Sequence, residues 1–510
     1  MATPWETIAT KKRAEQRSRI PQAWLLPNPP SSSTTSDVRS IPLTSGILSS
    51  HELTITSNHD ATALAALIRD RTYSATEVCT AFCKRAALAH QLTNCLTEIL
   101  FDHGIARARW LDAELARTGR PIGPLHGVPV SLKDTFKIRG CDSSIGIASL
   151  AFKPAEQNSA LVDILLAAGA VLYCKTNVPQ TLMALDSDNW LFGRVRNPRN
   201  GAVTAGGSSG GEGALVAMRG SVLGVGTDVG GSIRIPAMCN GLYGVKPSAG
   251  RVPYAGQQGS GAPGSEAVGL MASAGPIAGS LRDCELLLRV VAEARPWERD
   301  PDVVYGLWEE QGRIEGKPLI GVVREDGLIR PLPPVCKVLE ETVQALRTAG
   351  YEVVELDTPL LKSCQSLANR FFGTDGNNYV LDLLASTSEP LIPWLASRLR
   401  RKTPVSASAL VDLHARKTAL ETEMLKIWTD KKGRRVDAFI CPVAPHPVPP
   451  IDRWNGTSYT SSFVLLDYPA GTIPVRDFVE DDIHGEIEGD VLNSWDKINR
   501  ELCELPFHCF

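Results

Sequence analysis

The run Gly206-Gly207-Ser208-Ser209-Gly210-Gly211-Glu212-Gly213-Ala214-Leu215-Val216-Ala217-Met218-Arg219-Gly220-Ser221-Val222-Leu223-Gly224-Val225-Gly226-Thr227-Asp228-Val229-Gly230-Gly231-Ser232 decides the reading of the fold. It opens as a glycine-serine loop and becomes helical from Gly213 to Arg219. A short apolar strand follows from Val222 to Val225, and the run returns to glycine and serine. The same alternation continues outward. Gly127 to Leu132 reads as a strand that delivers Lys133 at its end. Ser159 to Ala168 reads as a helix and Ala170 to Cys174 as a strand. Further on, Leu319–Val323, Tyr351–Leu356 and Val436–Pro442 read as strands, with a helix from Pro334 to Ala349. Helices and strands in alternation predict an α/β layer fold around a mostly buried sheet.

Toward the N-terminus the text is helical. Leu64, Leu67 and Ile68 share one helix face. Ser74 and Glu77 form a capping box that opens a helix with Val78, Phe82, Ala86 and Ala89 inward. A third helix runs from Ile105 to Arg117 and is stopped by Gly119. Residues 1–60 read as an extension: a helix from Trp5 to Arg19, a turn at Pro27-Asn28-Pro29-Pro30, then the serine-threonine run 31–36. The basic run Lys431-Lys432-Gly433-Arg434-Arg435 reads as a solvated helix end whose cations suit the C-terminal dipole.

Composition narrows the class. The chain has 510 residues, 43% of them hydrophobic and 21% charged, which is the balance of a soluble globular protein. A net charge of −3 gives no footprint for nucleic acid or an anionic membrane. The 12 cysteines are scattered without a CxxC pair, so they read as buried thiols in a reducing compartment. Lys11-Lys12-Arg13 is not followed by an apolar segment of a secretion signal, and Asp163 interrupts the apolar stretch from Ala160 to Tyr173. The expected location is therefore the cytoplasm, by default.

The glycine-serine run admits three chemical readings. A dinucleotide loop fails because Val229 occupies a glycine position, and a Gly-Lys-Ser/Thr phosphate loop is absent from the chain. A GxSxG elbow matches the letters around Ser208, but the approach is the turn Pro198-Arg199-Asn200-Gly201 instead of an apolar strand. At Ser232 the elbow pattern fails because Arg234 replaces its second glycine. Histidine is scarce, and His126, the nearest to Lys133, reads as a turn residue. The third reading fits: Ser232 follows two glycines, so successive N–H groups can converge into an oxyanion hole. Its base can be a lysine kept neutral by burial, and Lys133 leaves an apolar strand.

These blocks resemble the amidase-signature family. Gly206 to Ala214 and Gly226 to Ala237 match its signature without a gap. So do Pro124 to Asp134, Lys175 to Gln180, Leu242 to Ser248 and Gly250 to Pro253. The nearest resemblance is to fungal acetamidase-type general amidases, with fatty-acid amide hydrolases further off. It extends to Pro4-Trp5-Glu6 and Lys12-Arg13-Ala14. The family implies a single α/β domain, with a large twisted mixed sheet covered by helices on both faces. It implies Ser232 as nucleophile, Ser208 as the bridging serine at a cis peptide bond, and Lys133 as base. The backbone N–H groups of Val229, Gly230, Gly231 and Ser232 would form the oxyanion hole. Leu182 aligns with a position that contacts the acyl chain; Leu182 and Met183 suggest an apolar wall, and core packing accounts for both residues equally well. Asp228 and Arg234 are expected to hold the nucleophile loop as an ion pair, and Ser209 to support the triad or to satisfy a turn. No metal and no organic cofactor is implied.

The expected domain layout is the extension 1–60 followed by a catalytic domain over 61–510. The tail Cys503-Glu504-Leu505-Pro506-Phe507-His508-Cys509-Phe510 departs from the family's closing strand and helix, so the C-terminus reads as truncated. The expected function is hydrolysis of a carboxamide to carboxylate and ammonia or amine through an acyl-enzyme. The alternatives are a catalytically impaired amidase paralogue and a glutaminase-like amidotransferase subunit. The partner is a small-molecule amide, and self-association as a homodimer stays open.

Overall fold

A computed structural model describes residues 3–30, 36–306, 308, 316–357, 360–454, 456–483, 485, 487 and 489–503. Most of the serine-threonine run at 31–36 and the tail beyond Cys503 lie outside these residues.

The central sheet is mixed and has seven strands. In chain order they are β1 (Leu96–Ile99), β2 (Pro129–Lys133), β3 (Val171–Thr176), β4 (Leu223–Asp228), β5 (Tyr243–Lys246), β6 (Ser273–Ala278) and, last, a short strand at Ala470–Thr472. Across the sheet the order is β1-β3-β2-β4-β6-β5, closed by Ala470–Thr472. Strands β3, β2 and β4 are mutually parallel, and the outer pairings are antiparallel. Every residue of β2, β3, β4 and β6 is buried, because helices cover both faces of the sheet. That double cover explains why these strands carry near-continuous apolar runs without polar alternation.

Two expected boundaries move. The helix after the glycine-serine loop starts at Gly210 instead of Gly213 and runs to Ala217. Its glycines are poor helix formers, but all but one of the residues from Gly210 to Ala217 are buried, and packing overrides propensity. The expected strands near 320, 353 and 438 do not join the large sheet. As β7 (Ile320–Val322), β8 (Val353–Glu355) and β9 (Ala438–Ile440), they form a separate parallel sheet in the order β8-β7-β9. The capping box at Ser74 and Glu77 is present, and the helix it opens runs from Ala75 to Thr93.

The basic run 431–435 does not end a helix as expected. It is a tight turn between Thr429 and Arg435, which form an isolated antiparallel bridge. Asp430 organises it by accepting from Lys432 N at 2.9 Å and Arg434 N at 2.8 Å, and Arg434 also pairs with Glu352 at 2.6 Å.

The N-terminal helix Pro4–Ser18 packs on the sheet edge. Gln16 Nε2 donates to the carbonyls of Leu96 at 2.8 Å and Thr97 at 3.0 Å, on edge strand β1. Lys12, 3% exposed, pairs with Glu98 and Asp142, each at 2.7 Å. Lys12→Met leaves two buried carboxylates without this cation, and removal of one partner of a buried ion pair typically costs about 3 kcal/mol. Urea unfolding of this variant is expected to show that loss. A change under about 0.5 kcal/mol, the range of ordinary surface substitutions, would mean that the helix is a loosely attached extension. Among the described residues, no helix is long and apolar enough to cross a membrane.

Candidate active site

Strands β2 and β4 are parallel and in register, with Leu132 opposite Val225, so their C-terminal ends finish together. In α/β sheets this is the edge where ligands bind. β2 ends in Lys133 and β4 in Thr227 and Asp228. The 206–209 loop and the 229–233 loop converge on the same edge.

Lys133 is completely buried. Its Nζ lies 2.7 Å from Ser208 Oγ and 2.7 Å from Thr227 Oγ1. Burial pushes its ammonium down to about 7, against the opposing pull of Asp228 and Glu212. The lysine is therefore partly or wholly neutral at physiological pH and can accept a proton. His126 lies in the turn before the opposite end of β2, where its Nδ1 accepts from Ile122 N at 3.0 Å.

The Gly207–Ser208 peptide bond is cis. A Cβ on Gly207 would meet Ala184 O at 2.7 Å and the Leu185 carbonyl carbon at 2.8 Å, so the loop packs directly on the 184–185 backbone. Leu182 and Met183, just upstream, pack against an apolar cluster that includes Ile145, Ala184, Val380 and Leu395. Ser209 N donates to Ser232 O at 3.3 Å, which ties the two serine loops together, and Thr227 N donates to Ser209 Oγ at 3.4 Å. No hydrogen bond joins Ser208 Oγ to Ser232 Oγ among the described residues.

Asp228 organises the Ser232 loop. Its carboxylate accepts from Gly231 N at 2.7 Å and Ile233 N at 3.2 Å, and it takes Arg234 Nε at 3.0 Å and Nη2 at 3.1 Å. Burial pushes this carboxyl up, but Arg234 and these donors hold it below the usual carboxylate range. Arg234 Nη2 also reaches Thr460 O at 2.9 Å, and Thr460 Oγ1 donates to Gly230 O at 2.6 Å. Gly231 has φ +127°, where a Cβ would meet Thr460 Oγ1 at 2.5 Å, so the turn requires glycine. Because Gly231 N–H is given to Asp228, three of the four expected oxyanion donors remain without a partner among the described residues: those of Val229, Gly230 and Ser232.

Thr227, Glu212 and Phe372 also lie close to these residues, and the linear sequence marks none of them. Thr227 became visible only through the β2–β4 register. Phe372 Cζ is 3.4 Å from where a Cβ on Gly230 would lie, so an aromatic edge borders the loop. Nothing in the linear text links positions 230 and 372.

Comparison with known proteins identifies the family. The family model described as Amidase matches residues 77–487. An amidase of Gibberella zeae is 39% identical over 98% of this chain and 92% of its own length. An acetamidase of Emericella nidulans is 39% identical over 93% of this chain and 87% of its own length. Among solved structures, a fatty acid amide hydrolase superposes with a TM-score of 0.88 at 30% identity, covering 97% of this chain and 88% of that one. A bacterial aryl acylamidase shares the fold, with a TM-score of 0.69 at 22% identity over 83% of this chain and 90% of that one. A buried lysine and two serine loops at one sheet edge thus belong to a chain that is a member of the amidase-signature family, hydrolases of amide C–N bonds.

Proposed function

We propose that the chain hydrolyses a carboxamide to carboxylate and ammonia or amine through Lys133, Ser208 and Ser232. The observation that carries this reading is the buried Lys133 Nζ, 2.7 Å from Ser208 Oγ. Neutral Lys133 donates one N–H to Thr227 Oγ1 and accepts the Ser208 proton on its lone pair. Ser208 takes the proton of Ser232, whose Oγ attacks the amide carbon. The oxyanion is received by the N–H groups of Val229, Gly230 and Ser232. The proton returns along the same path to the leaving nitrogen, the C–N bond breaks, and an acyl-Ser232 ester forms. Water then adds under the same base, releasing the carboxylate and restoring Ser232.

Asp228 and Arg234 hold the loop, and Ser209 joins it to the Ser208 turn. Leu182, with its neighbouring apolar cluster, supports an apolar wall on the acyl side. The names of the relatives, acetamidase and fatty acid amide hydrolase, support uncharged acyl groups as the substrate class.

The test is covalent. Purified chain treated with a fluorophosphonate is expected to gain one adduct on the peptide containing Ser232. The untreated enzyme is expected to release ammonia from simple aliphatic carboxamides. A folded chain that neither labels nor releases ammonia would favour an impaired paralogue. Glutamine hydrolysis that appears only with a partner subunit would favour the amidotransferase reading.

A further inference from the structure

One buried acid near the base has no part in the proton path described above. Glu212 lies in the first turn of the helix Gly210–Ala217, four residues after Ser208, and is fully buried. Its Oε2 is hydrogen-bonded to Ser131 Oγ at 2.6 Å and its Oε1 to Thr176 Oγ1 at 2.9 Å. Ser131 is on β2, two residues before Lys133, so the two side chains share a face of the strand. Thr176 ends β3, the parallel neighbour, and is paired in register with Lys133. On the other flank, a Cβ on Gly224 of β4 would collide with Glu212 Oε2, so the carboxyl also lies against the strand that carries Thr227. One side chain from the serine helix therefore touches all three parallel strands that end at the site.

Resting on the reading of Lys133 as the base, we propose that Glu212 is a positioning residue. It clamps the Ser208 turn onto the strands that present Lys133 and Thr227, so that Ser208 Oγ and Lys133 Nζ stay in proton-transfer contact. The partners of its carboxyl are hydroxyls, and no cation forms an ion pair with it among the described residues. Burial pushes it up to about 8, so it is largely an uncharged acid at neutral pH. That state matters for the base. The acids acting on Lys133 are Asp228 and Glu212. Asp228 is already matched by Arg234. An ionised Glu212 would hold a proton on the lysine, and a neutral one lets it leave. The other titratable groups around Glu212, the buried thiols of Cys95 and Cys174 and the Tyr173 phenol, are all pushed up by burial and stay neutral.

The test compares Glu212→Ala, Glu212→Gln and the double variant Ser131→Ala/Thr176→Val with the parent enzyme. The readouts are kcat, KM, the pH profile of kcat/KM and thermal melting. Glu212→Ala is expected to lose about 100-fold in kcat, the scale of a misplaced catalytic pair, with KM changed by less than about threefold. Water entering the vacated space is expected to move the acid limb of kcat/KM upward by about half a unit or more, because a rehydrated lysine regains its proton. Glu212→Gln keeps the shape, with an amide NH2 and carbonyl in place of the acid's O–H and carbonyl, and is expected to recover to within about tenfold of the parent. If Glu212→Ala fails to fold, the double variant carries the test, with the same kcat loss expected.

The inference is overturned by any of three results: a folded Glu212→Ala or double variant with parental kcat, an unmoved acid limb in Glu212→Ala, or a folded Glu212→Gln as impaired as the alanine variant. Lys133→Ala is assayed alongside. Activity surviving there removes the base and this inference together. An inactive Lys133→Ala beside an active Glu212→Ala removes the inference alone.

Discussion

Ser232→Ala is expected to lower kcat for amide hydrolysis by about 10^4-fold or more, the scale on which nucleophile removal acts in serine hydrolases. Its effect on stability is expected to stay within about 0.5 kcal/mol. The two halves of that expectation have separate causes. The hydroxyl is the atom that forms the acyl bond, so no neighbouring group substitutes for it. It makes no hydrogen bond to the described residues, so its loss strands no buried partner. The loop around it is held by Asp228, Arg234 and Thr460, none of which contacts the hydroxyl. Steady-state ammonia release and urea unfolding on the same preparation check both halves. A folded Ser232→Ala enzyme that retains more than about one-tenth of parental kcat would move the nucleophile elsewhere, and Ser208 would be the next residue to test.

Much of this architecture is legible in the linear text, for local reasons. The strand ending in Lys133 shows as a largely apolar run, interrupted at Ser131, because β2 is buried on both faces. The capping box at Ser74 works within four residues and needs no tertiary context. The two serine loops are marked by glycines that the backbone requires, as the positive φ of Gly231 illustrates. Other features are relations between distant segments. Thr227 lies past the end of the expected strand and carries no mark until β4, which runs on to Asp228, is placed beside β2. Glu212 is only a letter of the glycine-serine run until the helix from Gly210 is laid across three strands, where its carboxyl meets Ser131 and Thr176. The basic run 431–435 misleads for a similar reason: Asp430 and Glu352 draw Arg434 into a turn, and Glu352 is 82 residues away.

Lys133→Met is expected to reduce kcat by about 10^4-fold, since it removes the proton acceptor for both the attack and the water step. The parental pH profile should report the same group. The active form is the neutral amine, so kcat/KM is expected to rise as pH increases through about 7 and to level above it. The stability of this variant carries a second, independent signature. Unfolded lysine titrates near 10.4, whereas folded Lys133 titrates at about 7. Between these values the unfolded chain binds the extra proton, so the parent gains stability as pH rises from about 7 toward 10. Below 7 both states are protonated, and the penalty for the buried ammonium is fully present. Methionine carries no such penalty. It leaves Ser208 and Thr227 with one hydrogen-bond partner fewer, a loss that does not depend on pH over this range. The melting temperature of Lys133→Met relative to the parent is therefore expected to be highest near pH 6 and to fall steadily toward pH 9. A difference that stays flat across that range would mean that Lys133 keeps its ordinary pKa and is charged in the folded protein. The proton path would then need another base.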